Sequence, residues 1–114
     1  MSAGAARLLS ADVVVHALEH EPLPAGEVLE GEPTAAVADL AEVGGVGVGL
    51  WEMGAGTARD TEVDEVFVVL AGQGTVAFED GTVLDLRPGV AVRLAAGDRT
   101  TWTVTETLRK VWVA

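Results

Sequence analysis

Glu65 is the ionisable residue whose position most needs a chemical explanation. It opens the apolar run Val66–Ala71, in which four of six side chains are β-branched or aromatic. Such a run favours a strand over a helix. A carboxylate at the head of a buried strand is costly to bury alone and tolerable when it is paired. Glu65 is therefore the first candidate for a general base or a binding group.

The other reactive side chains give weaker signals. His16 and His20 have a spacing that binds a metal ion when both lie on one face of a helix. Because Pro22 and Pro24 follow closely, a helix here would be very short, and we expect no metal site. The only serines lie in the first ten residues and there is no cysteine, which excludes a serine or cysteine nucleophile. The glycine-rich stretch 44–49 lacks the lysine of a phosphate-binding loop.

The elements that position Glu65 are short, valine-rich segments separated by glycine turns. This pattern predicts an all-β domain, an antiparallel barrel or jelly roll of eight or nine strands. Residues 45–53 alternate with a period of two, as strands do. Glycines at 72–74 between two apolar segments predict a hairpin. A short strand is expected at 12–17, whereas 34–43 fits either a short helix capped by Thr34 or an irregular loop with a strand.

Composition limits the partners. The net charge of −11 opposes nucleic acid and anionic membrane surfaces. A chain of 114 residues forms one domain, which we place at residues 11–114 after a flexible N-terminus at residues 1–10. The absence of cysteine excludes a disulfide framework and fits a cytoplasmic protein.

Several motifs in the second half resemble those of the cupin family. Glu65, six further residues and Gly72 resemble the end of the first cupin motif, and Pro88-Gly89 belongs to a stretch that resembles the second. Four elements are similar to the small single-domain cupins related to ureidoglycine aminohydrolase and to the ethanolamine-utilisation cupin protein: Gly49-Leu-Trp-Glu52, Asp64-Glu65, Gly97-Asp-Arg-Thr-Thr-Trp102 and Glu106-Thr-Leu-Arg-Lys110. The resemblance covers residues 45–113 and implies a cupin-type jelly-roll barrel with a short N-terminal extension.

The same resemblance implies a divalent metal held by three histidines and a glutamate, and here the chain departs from the family. None of the histidine positions holds a histidine: counted back from Glu65 they are Arg59 and Thr61 (or Ala58 and Asp60 with the longer gap), and the position in the second motif is Thr100. Hydroxyls with one carboxylate are poor ligands for zinc, iron or manganese. We therefore expect the cupin fold without a metal or another cofactor.

A small barrel can still hold one ligand near its mouth. If Glu65 faces inward, the resemblance predicts a pocket lined by Arg59, Thr61, Phe67, Thr100 and Trp102. An ion pair between Glu65 and Arg59 then has two interpretations. It is either a fixed polar plug where the metal stood in related proteins, or a recognition pair in which Glu65 serves as acid or base.

Two further features remain open to more than one interpretation. Arg109 and Lys110 are neighbours on a predicted strand, so only one can face inward, and we expect pairing with Glu52 or Glu106 rather than ligand binding. Tryptophans usually pack in a core or a subunit interface, although Trp102 is the best candidate for a pocket wall.

The function that fits best is a metal-free module that binds a small polar metabolite, or an accessory protein. The alternative is an enzyme that acts on a small nitrogen-containing or carboxylate metabolite with Glu65 as acid or base. An open sheet edge and an apolar outer face predict a homodimer.

Overall fold

The computed structural model describes residues 6–114, and this part of the chain is built from strands without a helix. The strands are β1 (Glu21–Pro22), β2 (Val28–Glu30), β3 (Thr34–Val43), β4 (Val46–Met53), β5 (Gly56–Thr61), β6 (Glu65–Phe78), β7 (Val83–Leu86), β8 (Ala91–Leu94) and β9 (Arg99–Val113). The all-β prediction is therefore confirmed. No helix in residues 6–114 is long and apolar enough to cross a membrane.

The N-terminal third differs in part from the prediction. Residues 34–43 form a strand rather than a helix, because Ala35 to Val43 pair along β4. The strand predicted at 12–17 is wrong: Val13–Val15 form a turn in which the Val15 amide donates to the Asp12 carbonyl at 3.3 Å. Of the flexible N-terminus predicted at residues 1–10, residues 1–5 lie outside the described part of the chain.

All nine strands belong to one curled antiparallel sheet. One path runs β1-β3-β4-β9-β5-β2, and β6 pairs with β7, β8 and β9. The long strands β6 and β9 pair with each other over most of their length, while β4 pairs with the C-terminal half of β9 and β5 with its N-terminal half. β9 therefore lies between β6 on one side and β4 and β5 on the other.

The predicted hairpin at residues 72–74 is wrong, since β6 runs through these residues as a single strand. Its register against β9 shifts between Val69 and Gly74, which is the signature of a β-bulge. Gly72 has a φ of +90°, and a Cβ at that position would collide with the Thr107 carbonyl. Glycine thus allows two backbones to approach closely here. Buried residues are odd-numbered before the bulge (Phe67, Val69) and even-numbered after it (Val76).

The core fills the space enclosed by the curled sheet. Its largest fully buried side chains come from strands far apart in sequence: Phe67, Met53, Leu86, Leu94 and Leu108. Such burial contributes roughly 1.5–3 kcal/mol for each large apolar side chain. On the opposite, convex face, Arg109 donates hydrogen bonds to the carbonyls of Val13 and His16 at 2.9 and 2.7 Å. The N-terminal segment (residues 10–20) is thereby held across the outside of the barrel.

Candidate functional site

An ammonium group lies at the centre of the concave face. Lys110 is on β9 between Trp51 of β4 and Val69 of β6, and its side chain is only 6% exposed. Its Nζ donates a hydrogen bond to Glu65 Oε2 at 2.6 Å. Removing either charge alone would leave the other uncompensated, which is why a buried pair of this kind is costly to break.

Three aromatic rings surround this ammonium. Lys110 Nζ lies 4.3 Å from the ring centroid of Phe67, 4.8 Å from that of Trp51 and 4.9 Å from that of Trp102. Ring faces carry negative potential and attract cations at such distances. The Trp102 ring packs against both other rings, with centroid separations of 5.4 and 5.6 Å. We call Trp51, Phe67 and Trp102 the aromatic cage.

A second carboxylate, that of Glu62, is fixed beside the cage. Its Oε2 accepts hydrogen bonds from the Thr100 hydroxyl at 2.5 Å and from the Trp102 indole N–H at 2.9 Å. Glu62 is 8% exposed and follows the end of β5. Because these bonds go to one oxygen, Glu62 orients Trp102 and keeps its other oxygen available.

Asp60 completes a group of three acids. Asp60 is an exposed residue, but partial burial of its carboxyl raises its pKa from 3.8 to about 6, and the negative charge of Glu62 adds to the effect. Glu27 raises the pKa further, whereas the Thr61 backbone N–H and Lys110 oppose the rise. The pKa of Asp60 thus lies closer to neutral pH than that of an ordinary aspartate, which is the direction that suits an acid or base group.

These groups line a cavity of about 390 Å³ in the mouth of the curled sheet. Its polar residues are Asp60, Thr61, Glu62, Glu65 and Lys110, and its apolar residues are Val37, Trp51, Val63, Trp102, Trp112 and Ala114. Gly49 leaves room for the Trp112 ring, which would collide with a Cβ there. Apolar walls with a few convergent polar groups are typical of small-molecule sites.

The predicted ion pair between Glu65 and Arg59 is wrong. The inward positions of β5 are Ala58 and Asp60, whose Cα partners Trp102 and Thr100 are buried. Of the two spacings counted back from Glu65, the longer one therefore identifies the residues that face inward. Arg59 lies on the opposite face of β5, where its Nη2 donates to the Gly26 carbonyl at 3.4 Å.

Of the predicted site residues, Arg59, Thr61 and Thr100 line an adjoining groove together, whereas Phe67 and Trp102 do not. Trp102 forms a wall of the cavity, as expected for it, and Thr61 lies at the cavity's edge. Thr100 is buried under Glu62, and Phe67 lies under Lys110 with 1% exposure, so neither is among the residues lining the cavity. A ligand-binding role for any of them stays a prediction.

Arg109 makes the pairing that was expected of it. Its Nε donates to Glu52 Oε2 at 2.6 Å on the convex face. Glu52 Oε1 lies 2.6 Å from His20 Nε2, and His20 Nδ1 is 2.8 Å from the Thr34 hydroxyl. Burial alone would raise the pKa of Glu52, but the hydrogen bonds from Arg109 and His20 outweigh it and hold the pKa below its usual value.

Two site residues were missed from the sequence alone. Lys110 was expected to pair with Glu52 or Glu106, and no feature of the sequence singled out Glu62. The alternation of residues along β9 would have shown that Lys110 faces inward. Thr100, Trp102 and Lys110 are all even-numbered, and β9 keeps its parity throughout, so they share the inward face.

The residues at the positions implied for a cupin metal do not fit one. Glu65 is bound by the Lys110 ammonium, and the histidine positions on the inward face hold Ala58, Asp60 and Thr100. Within residues 6–114 no three histidine, cysteine or acidic side chains are placed to hold a metal ion. His16 and His20 do not lie on a helix, and His16 instead hydrogen-bonds Ser10 at 2.8 Å. A cationic side chain thus occupies the place where the family resemblance expects a metal.

Comparisons with known proteins agree with this fold. The sequence profile of the EutQ-like cupin domain matches residues 40–112. No protein of curated function matches the chain.

Among solved structures, the EutQ protein of Clostridium difficile has a TM-score of 0.62 at 21% identity over 71% of this chain and 61% of that one. A putative ethanolamine utilization protein Q of Salmonella typhimurium has a TM-score of 0.62 at 17% identity. The match covers 86% of this chain and 94% of that one. Ectoine synthase from P. lautus has a TM-score of 0.62 at 16% identity, and the match covers 69% of this chain and 62% of that one. Identities this low show the fold alone. The alignments cover less than two thirds of the Clostridium protein and of the ectoine synthase.

Proposed function

We propose that this chain, which belongs to the EutQ-like cupin family, is a metal-free binding module that holds a small polar metabolite in the mouth of its curled sheet. The observation that carries this proposal is the ion pair of Lys110 with Glu65 inside the aromatic cage. An internal ammonium provides Glu65 with the positive partner that a metal ion would otherwise be. The carboxylate therefore has a fixed position without a metal.

The cavity above this pair supports binding. Its volume of about 390 Å³ falls within the range of roughly 300–1,000 Å³ that small-ligand pockets span. The tryptophans give it rigid apolar walls, and the carboxylates give it directional acceptors at one end. Val37 and Val63, which are 63% and 60% exposed, form an apolar rim that a ligand would cover.

A second candidate is an enzyme that acts on a small nitrogen-containing or carboxylate metabolite, by likeness to ureidoglycine aminohydrolase. The raised pKa of Asp60, about 6, favours this candidate because such a group can exchange protons near neutral pH. Glu65, the residue first expected to be acid or base, is held as an acceptor by Lys110. Asp60 is therefore the better candidate for that role.

The metal-free part of the proposal is tested by elemental analysis of the purified, dialysed protein. We expect less than stoichiometric zinc, iron, manganese, nickel and copper. A metal that remains at one equivalent per chain after dialysis would overturn it.

The binding part is tested by screening a library of small polar metabolites. The three tryptophans of the chain, Trp51, Trp102 and Trp112, all line the cavity, so intrinsic fluorescence reports on its occupancy. Val63→Trp places a bulky ring at the rim and should abolish any response seen by calorimetry. Val83→Trp is the matched control, because Val83 is 59% exposed and lies away from the cavity on β7. A ligand that binds both variants equally is not bound in the cavity, and a screen without any ligand contradicts the proposal.

The proposal includes a homodimer. Within residues 6–114, the outer edge of β3 pairs with β1 only at Thr34 and Ala35, so the edge from Ala36 to Val43 is open. Open edges favour pairing with a second chain. Val43 is 69% exposed at this edge. Sedimentation velocity should give a dimer that Val43→Lys weakens, and a monomer at all concentrations would contradict it.

A further inference from the structure

The cavity has an excess of negative charge. Its lining includes three acids, Asp60, Glu62 and Glu65, and one basic residue, Lys110. Lys110 neutralises Glu65 through their ion pair. Among residues 6–114, no salt bridge reaches Asp60 or Glu62. Two carboxylates on one side of the cavity are thus left for a positive partner.

Glu62 presents a free oxygen to this space. Both of its hydrogen bonds go to Oε2, and Oε1 accepts none from residues 6–114. Every fully buried side-chain oxygen in the described residues has a partner, so this Oε1 is reachable by solvent. Glu62 is 8% exposed and is one of the residues that line the cavity. A carboxylate oxygen fixed in this way is ready to accept a hydrogen bond from a ligand.

The walls of the cavity are suited to a cation. The Lys110 ammonium already lies within 4.9 Å of three ring centroids, which shows the arrangement inside the same molecule. Trp112 is a further aromatic wall, and no cation of residues 6–114 lies over its ring. Aromatic faces beside carboxylates are the surroundings that ammonium ligands prefer.

We infer that the ligand of this cavity is a small organic cation, an amine in its ammonium form or a quaternary ammonium compound, held between Glu62, Asp60 and the tryptophan walls. The inference rests on the proposed binding function and specifies the class of ligand. A metal ion is a poorer occupant because the walls beside the acids are apolar rings rather than further oxygen or nitrogen ligands.

The protonation of Asp60 supports this assignment. Burial and the charge of Glu62 raise its pKa to about 6, so the site attracts a proton. The charged groups near Asp60 are Glu62, Glu27 and Lys110, with Arg59, Glu79 and Arg99 along the adjoining groove. A cationic ligand would take the place of that proton, so its affinity should rise as the pH increases through about 6.

The experiment compares matched probes by tryptophan fluorescence and calorimetry. Choline and ethylammonium are the cations, 3,3-dimethyl-1-butanol is the neutral isostere of choline, and propionate is the anion. At about pH 7.5 we expect choline to bind at least about ten-fold more tightly than the alcohol, because only the cation interacts with the carboxylates and the ring faces. The affinity should fall at about pH 5 as Asp60 takes up a proton.

Two variants connect the result to the site. Glu62→Gln keeps an oxygen acceptor for Thr100 and Trp102 but removes the charge. It should therefore lower the affinity for choline at least about ten-fold without lowering the melting temperature. Glu106→Gln removes an exposed charge outside the cavity and should change nothing.

Three outcomes would overturn the inference. They are equal or tighter binding of the alcohol or propionate, unchanged choline affinity in Glu62→Gln, and no binding of either cation. The proposed binding function would survive each of these if a member of the metabolite library binds and is lost in Val63→Trp. If no library member binds, the proposed function fails as well.

Discussion

Lys110 Nζ lies 2.6 Å from Glu65 Oε2, and the two residues are 45 positions apart in the chain. Both side chains are nearly enclosed, with 6% and 12% exposure. The pair joins the C-terminal strand to the residue at the head of β6, and it lies under the cavity where the proposed ligand binds.

Removing either partner should destabilise the protein strongly. We expect Lys110→Met and Glu65→Gln each to lower the free energy of unfolding by about 3 kcal/mol, because each leaves the other buried charge without a counter-charge. The double variant should lose less than the sum of the two, as interacting residues do. Urea unfolding followed by circular dichroism measures all three.

The surface pair Arg87–Asp85 is the control. Its atoms are 3.8 Å apart and its side chains are 65% and 72% exposed. Arg87→Ala should cost less than about 0.5 kcal/mol, as exposed ion pairs do. If Lys110→Met costs no more than Arg87→Ala, the cage does not shield the pair from water.

The sequence predicted the fold class, and period-two alternation placed Glu65 on the same face as Phe67, but whether that face points inward was left as a condition. It did not predict the partner of Glu65. Partner choice depends on register between strands far apart in the chain, and only the assembled sheet fixes it. Arg59 is near Glu65 in sequence, but it lies on the opposite face of β5.

The bulge in β6 explains the wrong hairpin. Gly72 and Gly74 produce the same local pattern as a turn, because glycine serves both purposes. What distinguishes them is β9, which pairs with β6 on both sides of the bulge. A continuous partner strand of this kind is a tertiary feature that local sequence does not carry.

Arg109 should control how firmly the N-terminal segment (residues 10–20) is held. Its guanidinium reaches Glu52, the Val13 carbonyl and the His16 carbonyl at once. Arg109→Lys keeps the charge but loses this planar fork of donors, so the substitution should cost about 2 kcal/mol. In this variant, amide hydrogen exchange in residues 10–16 should be faster than in the parent protein, and the increase should be larger there than in the rest of the chain.

Arg99→Lys is the matched control for this prediction. Arg99 forms an exposed pair with Glu79 at 3.9 Å, and its side chain is 71% exposed. The control should leave both stability and exchange unchanged. Equal exchange rates in Arg109→Lys and the parent protein would show that other contacts hold the segment.

Gly49 should be irreplaceable because of Trp112. A Cβ on Gly49 would collide with the Trp112 ring and with the Ala38 carbonyl. Gly49→Ala should therefore cost at least about 2 kcal/mol through overpacking. It should also shift the tryptophan emission, since Trp112 lines the cavity. Gly26→Ala is the control, because a Cβ at Gly26 meets no atom within 4 Å, and it should be neutral.

Asp60 should make the protein less stable as the pH rises. Its pKa is about 6 in the folded protein and 3.8 without the fold, so between these values the folded state holds a proton that the unfolded chain has released. The free energy of unfolding therefore falls as the pH rises through this window. Asp60→Asn removes the fall, and we expect it to stabilise the protein at about pH 8 by about 1 kcal/mol, a value reduced for the partial exposure of the carboxyl.

Urea unfolding of both proteins from about pH 5 to about pH 8 measures this effect, with the difference growing toward the higher pH. Asp80→Asn is the control, because the pKa of Asp80 is shifted in the opposite direction. The backbone amide and the hydroxyl of Thr82 lower it. That variant should gain no stability at about pH 8, since its parent carboxylate is favoured in its charged form. A constant difference between Asp60→Asn and the parent across the whole pH range would mean that Asp60 does not titrate in this window.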